Sequence, residues 1–222
     1  MMRVIFAAIL LVLPASTAFA EGEWIADKRT GCRVWNPFDL TGVDNADKVA
    51  NWSGPCVGGI ANGRGVLQWF TFGFDEVALR YEGIFRNGRL NGWGVYTETG
   101  GDRYEGNWLN GKKHGRGVII QADGTRAEGN FSNNELNGRG VVIFYSGARY
   151  EGYFRNGKFH GQGVFTVSDT LRYVGNWADG EANGFGTLYS GDRKYSGQWS
   201  NKIVAGKGCL VQKPDFCFGG FQ

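Results

Sequence analysis

The chain has 222 residues, of which 38 are glycine, more than twice the usual share of ~7%. Its 16 Phe, 9 Tyr and 8 Trp exclude a flexible low-complexity linker, which lacks large apolar side chains, and four prolines without a three-residue period exclude collagen. A formal net charge of +3 is too small to argue for nucleic acid.

At the N-terminus, Met1-Met2-Arg3 is a short basic start, Val4 to Pro14 an apolar run, and Ala18-Phe19-Ala20 an A-x-A site before Glu21. This order predicts a cleaved signal peptide over 1–20 and export to the periplasm or the extracellular space. Export would place Cys32, Cys56, Cys209 and Cys217 in an oxidising compartment. Four cysteines allow three pairings. Their grouping near the two ends favours Cys32–Cys56 and Cys209–Cys217. A zinc site is the weaker reading, because there is no C-x-x-C and neither histidine is near a cysteine. Residues 21–51 carry no repeat and are expected to cap the first sheet edge, where an open strand would invite aggregation.

Residues 52–210 read as seven copies of one unit. Copies begin at Trp52, Tyr81, Tyr104, Ala127, Tyr150, Tyr173 and Tyr195, the last six at spacings of 23, 23, 23, 23 and 22. Glycine holds the third, twelfth and fourteenth positions throughout, as in Gly106, Gly115 and Gly117. The fifth is aromatic in six copies: Phe85, Trp108, Phe131, Phe154, Trp177 and Trp199. Tyr104-Glu105-Gly106-Asn107-Trp108 alternates with period two, as a strand does. Asn110-Gly111 is a turn signal, and Gly117-Val118-Ile119-Ile120 a β-branched return strand. Each copy is therefore a β-hairpin, and seven of them predict an all-β fold, a single elongated, twisted antiparallel sheet with disulfide-stapled ends. A glycine between two same-face aromatics leaves space for a ring. The twelfth and fourteenth positions call for close approach or positive φ. Residues 211–222 remain as a C-terminal cap or tail.

The pattern Tyr-Glu-Gly-x-Trp-x-x-Gly-x-x-x-Gly-x-Gly, carried best by Tyr104 to Gly117, resembles the MORN (membrane occupation and recognition nexus) repeat. Ala127, Asn134 and Lys202 depart from it, and the first copy has six extra residues around Trp69-Phe70-Thr71-Phe72. The resemblance implies an extended sheet used as a membrane-associating or protein-binding scaffold.

The chemistry-bearing residues follow the repeat. His114 and His160 share position eleven with Asn62, Asn91, Asn137 and Asn183, which makes them loop residues rather than a base or metal ligands. Glu82, Glu105, Glu128 and Glu151 each lie two residues after an arginine, as in a row of solvated ion pairs. No nucleophile elbow, P-loop or dinucleotide signature occurs, so neither catalysis, a cofactor nor a metal is expected. Two features could recognise something. One is the aromatic row Tyr81, Tyr104, Trp108, Tyr150, Phe154, Tyr173, Trp177, Tyr195 and Trp199, a binding surface if exposed and the core if not. The other is the basic edge at the turns: Arg86, Arg89, Lys112, Lys113, Arg116, Arg139, Arg155 and Lys158. These expectations describe a non-catalytic exported scaffold for a protein partner. The alternative is attachment to anionic lipid or acidic glycan through the basic edge.

Overall fold

A computed structural model describes residues 23–36, 49–70, 77–200, 208–210 and 213–218. The signal peptide call at 1–20 lies outside them. No helix occurs among the described residues. A small sheet contains β1 (Glu23–Ala26), β2 (Arg33–Asn36), β4 (Cys56–Val57) and β5 (Ile60–Ala61), in the order β1-β2-β5-β4. The large sheet holds β3 (Val49–Trp52), β6 (Gly63–Phe70), β7 (Val77–Arg86), β8 (Arg89–Glu98), β9 (Arg103–Leu109), β10 (Lys112–Ile120), β11 (Arg126–Ser132), β12 (Glu135–Ile143) and β13 (Arg149–Arg155). It continues through β14 (Lys158–Ser168), β15 (Leu171–Ala178), β16 (Glu181–Ser190), β17 (Arg193–Ser200), β18 (Gly208–Leu210) and β19 (Lys213–Phe218). The strand order is that of one open sheet, sequential from β6 to β19 with β3 outside β6. The chain divides into two compact units, an N-terminal one ending at Gly124 but including Phe131–Asn134, and a C-terminal one comprising Thr125–Asn130 and the strands from Glu135 onward.

The hairpins form where the sequence places them. Asn87, Asn110 and Asn156 adopt positive φ ahead of Gly88, Gly111 and Gly157, the conformation a tight two-residue turn requires. Each turn is tied to the copy before it. In the N-terminal unit the Gly88 N–H donates to Ala61 O (2.8 Å), Gly111 to Leu90 O (3.0 Å) and Asn134 to Lys113 O (3.1 Å). In the C-terminal unit Gly157 donates to Leu136 O and Gly180 to Phe159 O, both at 3.0 Å.

Two glycine positions have different causes. The twelfth sits at positive φ (Gly92 +65°, Gly115 +64°, Gly161 +61°), beside the register shift that breaks each hairpin ladder. The fourteenth pairs directly with the third across the hairpin, Gly117 with Gly106 and Gly163 with Gly152. A Cβ on Gly106 would stand 2.5 Å from Gly117 Cα. The copy's own tyrosine lies over this bare pair and donates its hydroxyl to the carbonyl three residues on: Tyr104 to Asn107 (2.9 Å), Tyr150 to Tyr153 (3.0 Å), Tyr173 to Asn176 (3.3 Å). Trp52 does the same with its indole N–H, to Pro55 O (3.0 Å). Where Ala127 replaces the tyrosine, Leu136 covers Gly129 and Gly140 instead.

The N-terminal segment meets the first sheet edge as expected, Asp27 bridging in parallel to Ala50, and it also reaches the turn of the first full hairpin. Val49–Trp52 is itself the edge strand, paired with β6. The small sheet packs on the turn of the first full hairpin, Trp35 N donating to Gly88 O (2.8 Å). Its anchor is the buried Asp27, which accepts from the backbone N–H of Trp52 (2.6 Å), Arg29 (2.8 Å) and Thr30 (3.1 Å). Burial alone would raise its carboxyl, but these donors outweigh it and hold the group below its ordinary value. The expected Cys32–Cys56 disulfide is present, with Cα atoms 5.9 Å apart. At the other end Cys209 and Cys217 are backbone partners across β18 and β19; their side chains, and so the second bridge, lie outside the described residues.

Candidate binding surfaces

The aromatic row is the core. Tyr81, Tyr104, Trp108, Tyr150, Phe154, Tyr173, Trp177 and Trp199 are all buried, and Tyr195 is half-buried. Each tyrosine meets the fifth-position ring of its own copy and of the next, edge to face. Tyr81 touches Phe85 (5.3 Å) and Trp108 (5.6 Å), and Tyr104 touches Trp108 (5.0 Å) and Phe131 (5.3 Å). In the C-terminal unit Tyr150 touches Phe154 and Trp177, and Tyr173 touches Trp177 and Trp199. Such pairs gain ~0.5–1.5 kcal/mol beyond area burial. A single sheet has no second layer to bury its rings, so these rings bury one another.

The basic residues do not form one edge. Arg116 and Arg139 project from the face opposite the rings, where Arg139 stacks over Tyr153 (5.2 Å) and donates Nε to its hydroxyl (3.1 Å). Lys113 belongs to the core. It occupies the tenth unit position, filled elsewhere by Leu90, Leu136, Phe159 and Ala182, is 9% exposed and sets Nζ 5.3 Å from the Tyr104 ring centroid. Burial pulls its amine down to about 8, against the opposing charges of Glu98 and Asp102. Arg86, Arg89, Lys112, Arg155 and Lys158 are at the turns, as expected. Arg155 is paired with Asp179 (3.1 Å), and Lys158 lies near enough to Glu181 to bear on its charge. Arg86 and Arg89, cross-strand partners, have no carboxylate partner among the described residues.

The glutamates form the expected pairs: Arg80–Glu82 (2.7 Å), Arg103–Glu105 (2.8 Å), Arg126–Glu128 (2.6 Å) and Arg149–Glu151 (2.7 Å). The hydrogen bond and charge of Arg80 hold the Glu82 carboxyl below its ordinary value. Position eleven is a staple. Asn91 Oδ1 accepts from Asn110 N (3.4 Å) and Asn137 Oδ1 from Asn156 N (2.9 Å). At His114 the bond is reversed, Lys113 N donating to Asn134 Oδ1 (2.8 Å). At His160, Nδ1 is buried and has no hydrogen-bond partner among the described residues. No cluster of His, Cys, Asp or Glu among the described residues could hold a metal ion.

Sequence reasoning missed the residues that are exposed. Trp93, Tyr153 and Phe185 stand at positions four and thirteen, and Phe185 is 70% exposed. Their signal was available: these are the positions that change from copy to copy. The cap adds another group. Trp24 and Trp35, register partners on β1 and β2, meet edge to face at 5.4 Å. Arg33 lies 5.9 Å from the Trp24 ring and Arg89 4.5 Å from the Trp35 ring.

A hairpin of about 23 residues, with a glycine pair under a tyrosine and an asparagine-glycine turn, defines a β-hairpin repeat protein. The MORN repeat signature matches at residues 57–72, 81–103, 104–126, 128–149, 150–169, 173–193 and 195–212, and the chain belongs to the MORN repeat family. No curated protein matches it.

Proposed function

We propose that the chain is an exported, non-catalytic scaffold that binds a protein partner. The observation that carries this reading is the division of labour within each repeat. The recurring tyrosine, glycine, aromatic and asparagine side chains are spent on the core and the turn ladder, as Tyr104, Gly117 and Asn91 are. Apart from the recurring Arg–Glu pairs, what reaches solvent differs between copies, which suits a surface that recognises one shape rather than a repeated ligand. Export rests on the basic start, apolar run and A-x-A site, and intact mass of the mature protein should begin at Glu21. A second reading, attachment to anionic lipid or acidic glycan, is favoured by Arg86 and Arg89, which lack carboxylate partners among the described residues. Two assays separate the readings. A protein scaffold retains a stoichiometric partner from its own compartment and ignores anionic vesicles. A lipid or glycan binder sediments with vesicles or binds polyuronate, and releases in salt.

A further inference from the structure

The small sheet has two unlike faces. Ile25, Val34 and Asn36 are buried on one. The other, which lies over Gly88 and the first full turn, carries Trp24, Arg33 and Trp35, with Arg89 joining from the hairpin. Trp24 is 44% exposed and Val57, on the same sheet, 60%. Arg86 flanks the same turn from the strand opposite Arg89.

Charge on this face is one-sided. On the ladder of the same unit, Arg80 and Arg103 each hold a glutamate. At the turns of the other unit, Arg155 holds Asp179. Arg33, Arg86 and Arg89 have no carboxylate partner among the described residues. Two of these guanidiniums lie over indole rings, which restrains the planar fork that suits bidentate carboxylate recognition. Exposed tryptophan and arginine, with an apolar rim and no acidic side chain among the described residues of the face, is also the composition of a protein–protein interface core.

From this we infer that the face formed by Trp24, Arg33, Trp35, Val57, Arg86 and Arg89 is a docking site for a protein segment that presents carboxylates beside an apolar side chain. The inference rests on the scaffold reading and names its partner's chemistry. An acidic segment brings the charge the face lacks, and its apolar side chain meets Trp24 and Val57. A neutral or basic segment would leave three guanidiniums uncompensated.

The probe is a random glutamate–tyrosine copolymer bound to the full mature chain, with polygalacturonate as the acidic-glycan arm. Arg33→Gln, Arg86→Gln and Arg89→Gln together should weaken copolymer binding at least tenfold, while Arg155→Gln with Lys158→Gln should change it less than twofold. Because Arg89 seats on Trp35, Arg86→Glu alone, at an exposed position, is the second variant, and it should weaken binding severalfold with an unchanged urea midpoint. Equal losses in the two variant sets, wild-type binding by Arg86→Glu, or polygalacturonate binding more tightly through these arginines would each overturn the assignment. A natural partner captured undiminished by the triple variant would overturn this site and leave the scaffold reading standing.

Discussion

Lys113 gives the fold a measurable pH dependence. Its ammonium stands where other copies place Leu or Phe, and its folded-state value is about 8 against an ordinary 10.5. Well below pH 8 the amine is protonated both folded and unfolded, and burying the charge costs about 3 kcal/mol. Between 8 and 10.5 the unfolded chain holds a proton that the folded chain has released, so stability rises with pH. From about pH 9.5 the buried tyrosines reverse the trend. Burial holds Tyr81, Tyr104, Tyr150 and Tyr173 protonated well above their ordinary value of 10, whereas the unfolded chain loses those protons. The urea-unfolding free energy should therefore climb by about 1 kcal/mol from pH 8 to about 9.5 and fall beyond it. Lys113→Leu should be more stable than the parent by roughly 2–3 kcal/mol at pH 7 and lose the climb while keeping the fall. Unfolding curves of the two proteins at pH 7, 8, 9.5 and 10.5 test this. Parallel pH profiles, or a leucine variant less stable at pH 7, would refute it.

Three further outcomes follow from the geometry. Gly117→Ala should destabilise by about 3 kcal/mol or more, because the Tyr104 ring already fills the space, whereas Gly147→Ala, at positive φ in open space, should cost only about 1–2 kcal/mol; thermal unfolding ranks the two. His160→Asn should raise stability by about 1 kcal/mol, since it removes a buried nitrogen unpaired among the described residues and restores the amide found at Asn137; a lower melting temperature would show that the slot does not need the staple. Non-reducing peptide mapping should recover Cys32–Cys56 and Cys209–Cys217, whose backbones are already paired, and a crossed pair such as Cys56–Cys209 would contradict the strand order.

What the sequence disclosed was whatever local chain geometry decides. The Asn110-Gly111 turn, the positive φ at Gly115 and the pairing of Gly106 with Gly117 follow from residues within one unit, so a repeat of 23 residues spells them out. Departures from the repeat, and contacts distant in sequence, were silent. Lys113 looks like a turn lysine by composition, and only the neighbouring copy shows that its slot is apolar. Leu136 replaces the missing tyrosine at Ala127 from across the hairpin, a compensation no single position reveals. The cap was legible as a cap, but its site on the turn of the first hairpin depends on Trp35 meeting Gly88 across more than 50 residues of chain. As for candidate binding residues, the aromatic row stood out because it recurs, and recurrence marked it as architecture.

The division between buried recurring rings and exposed variable ones is open to one direct measurement, hydroxyl-radical footprinting of the folded chain read by mass spectrometry. Tyr104, Tyr150 and Trp199 should remain unmodified, while Trp93, Tyr145 and Phe185 oxidise readily and Trp24 does so until a partner is added. Oxidation of the recurring rings at rates equal to Phe185, in protein whose unfolding transition is intact, would show an open aromatic surface and contradict the account.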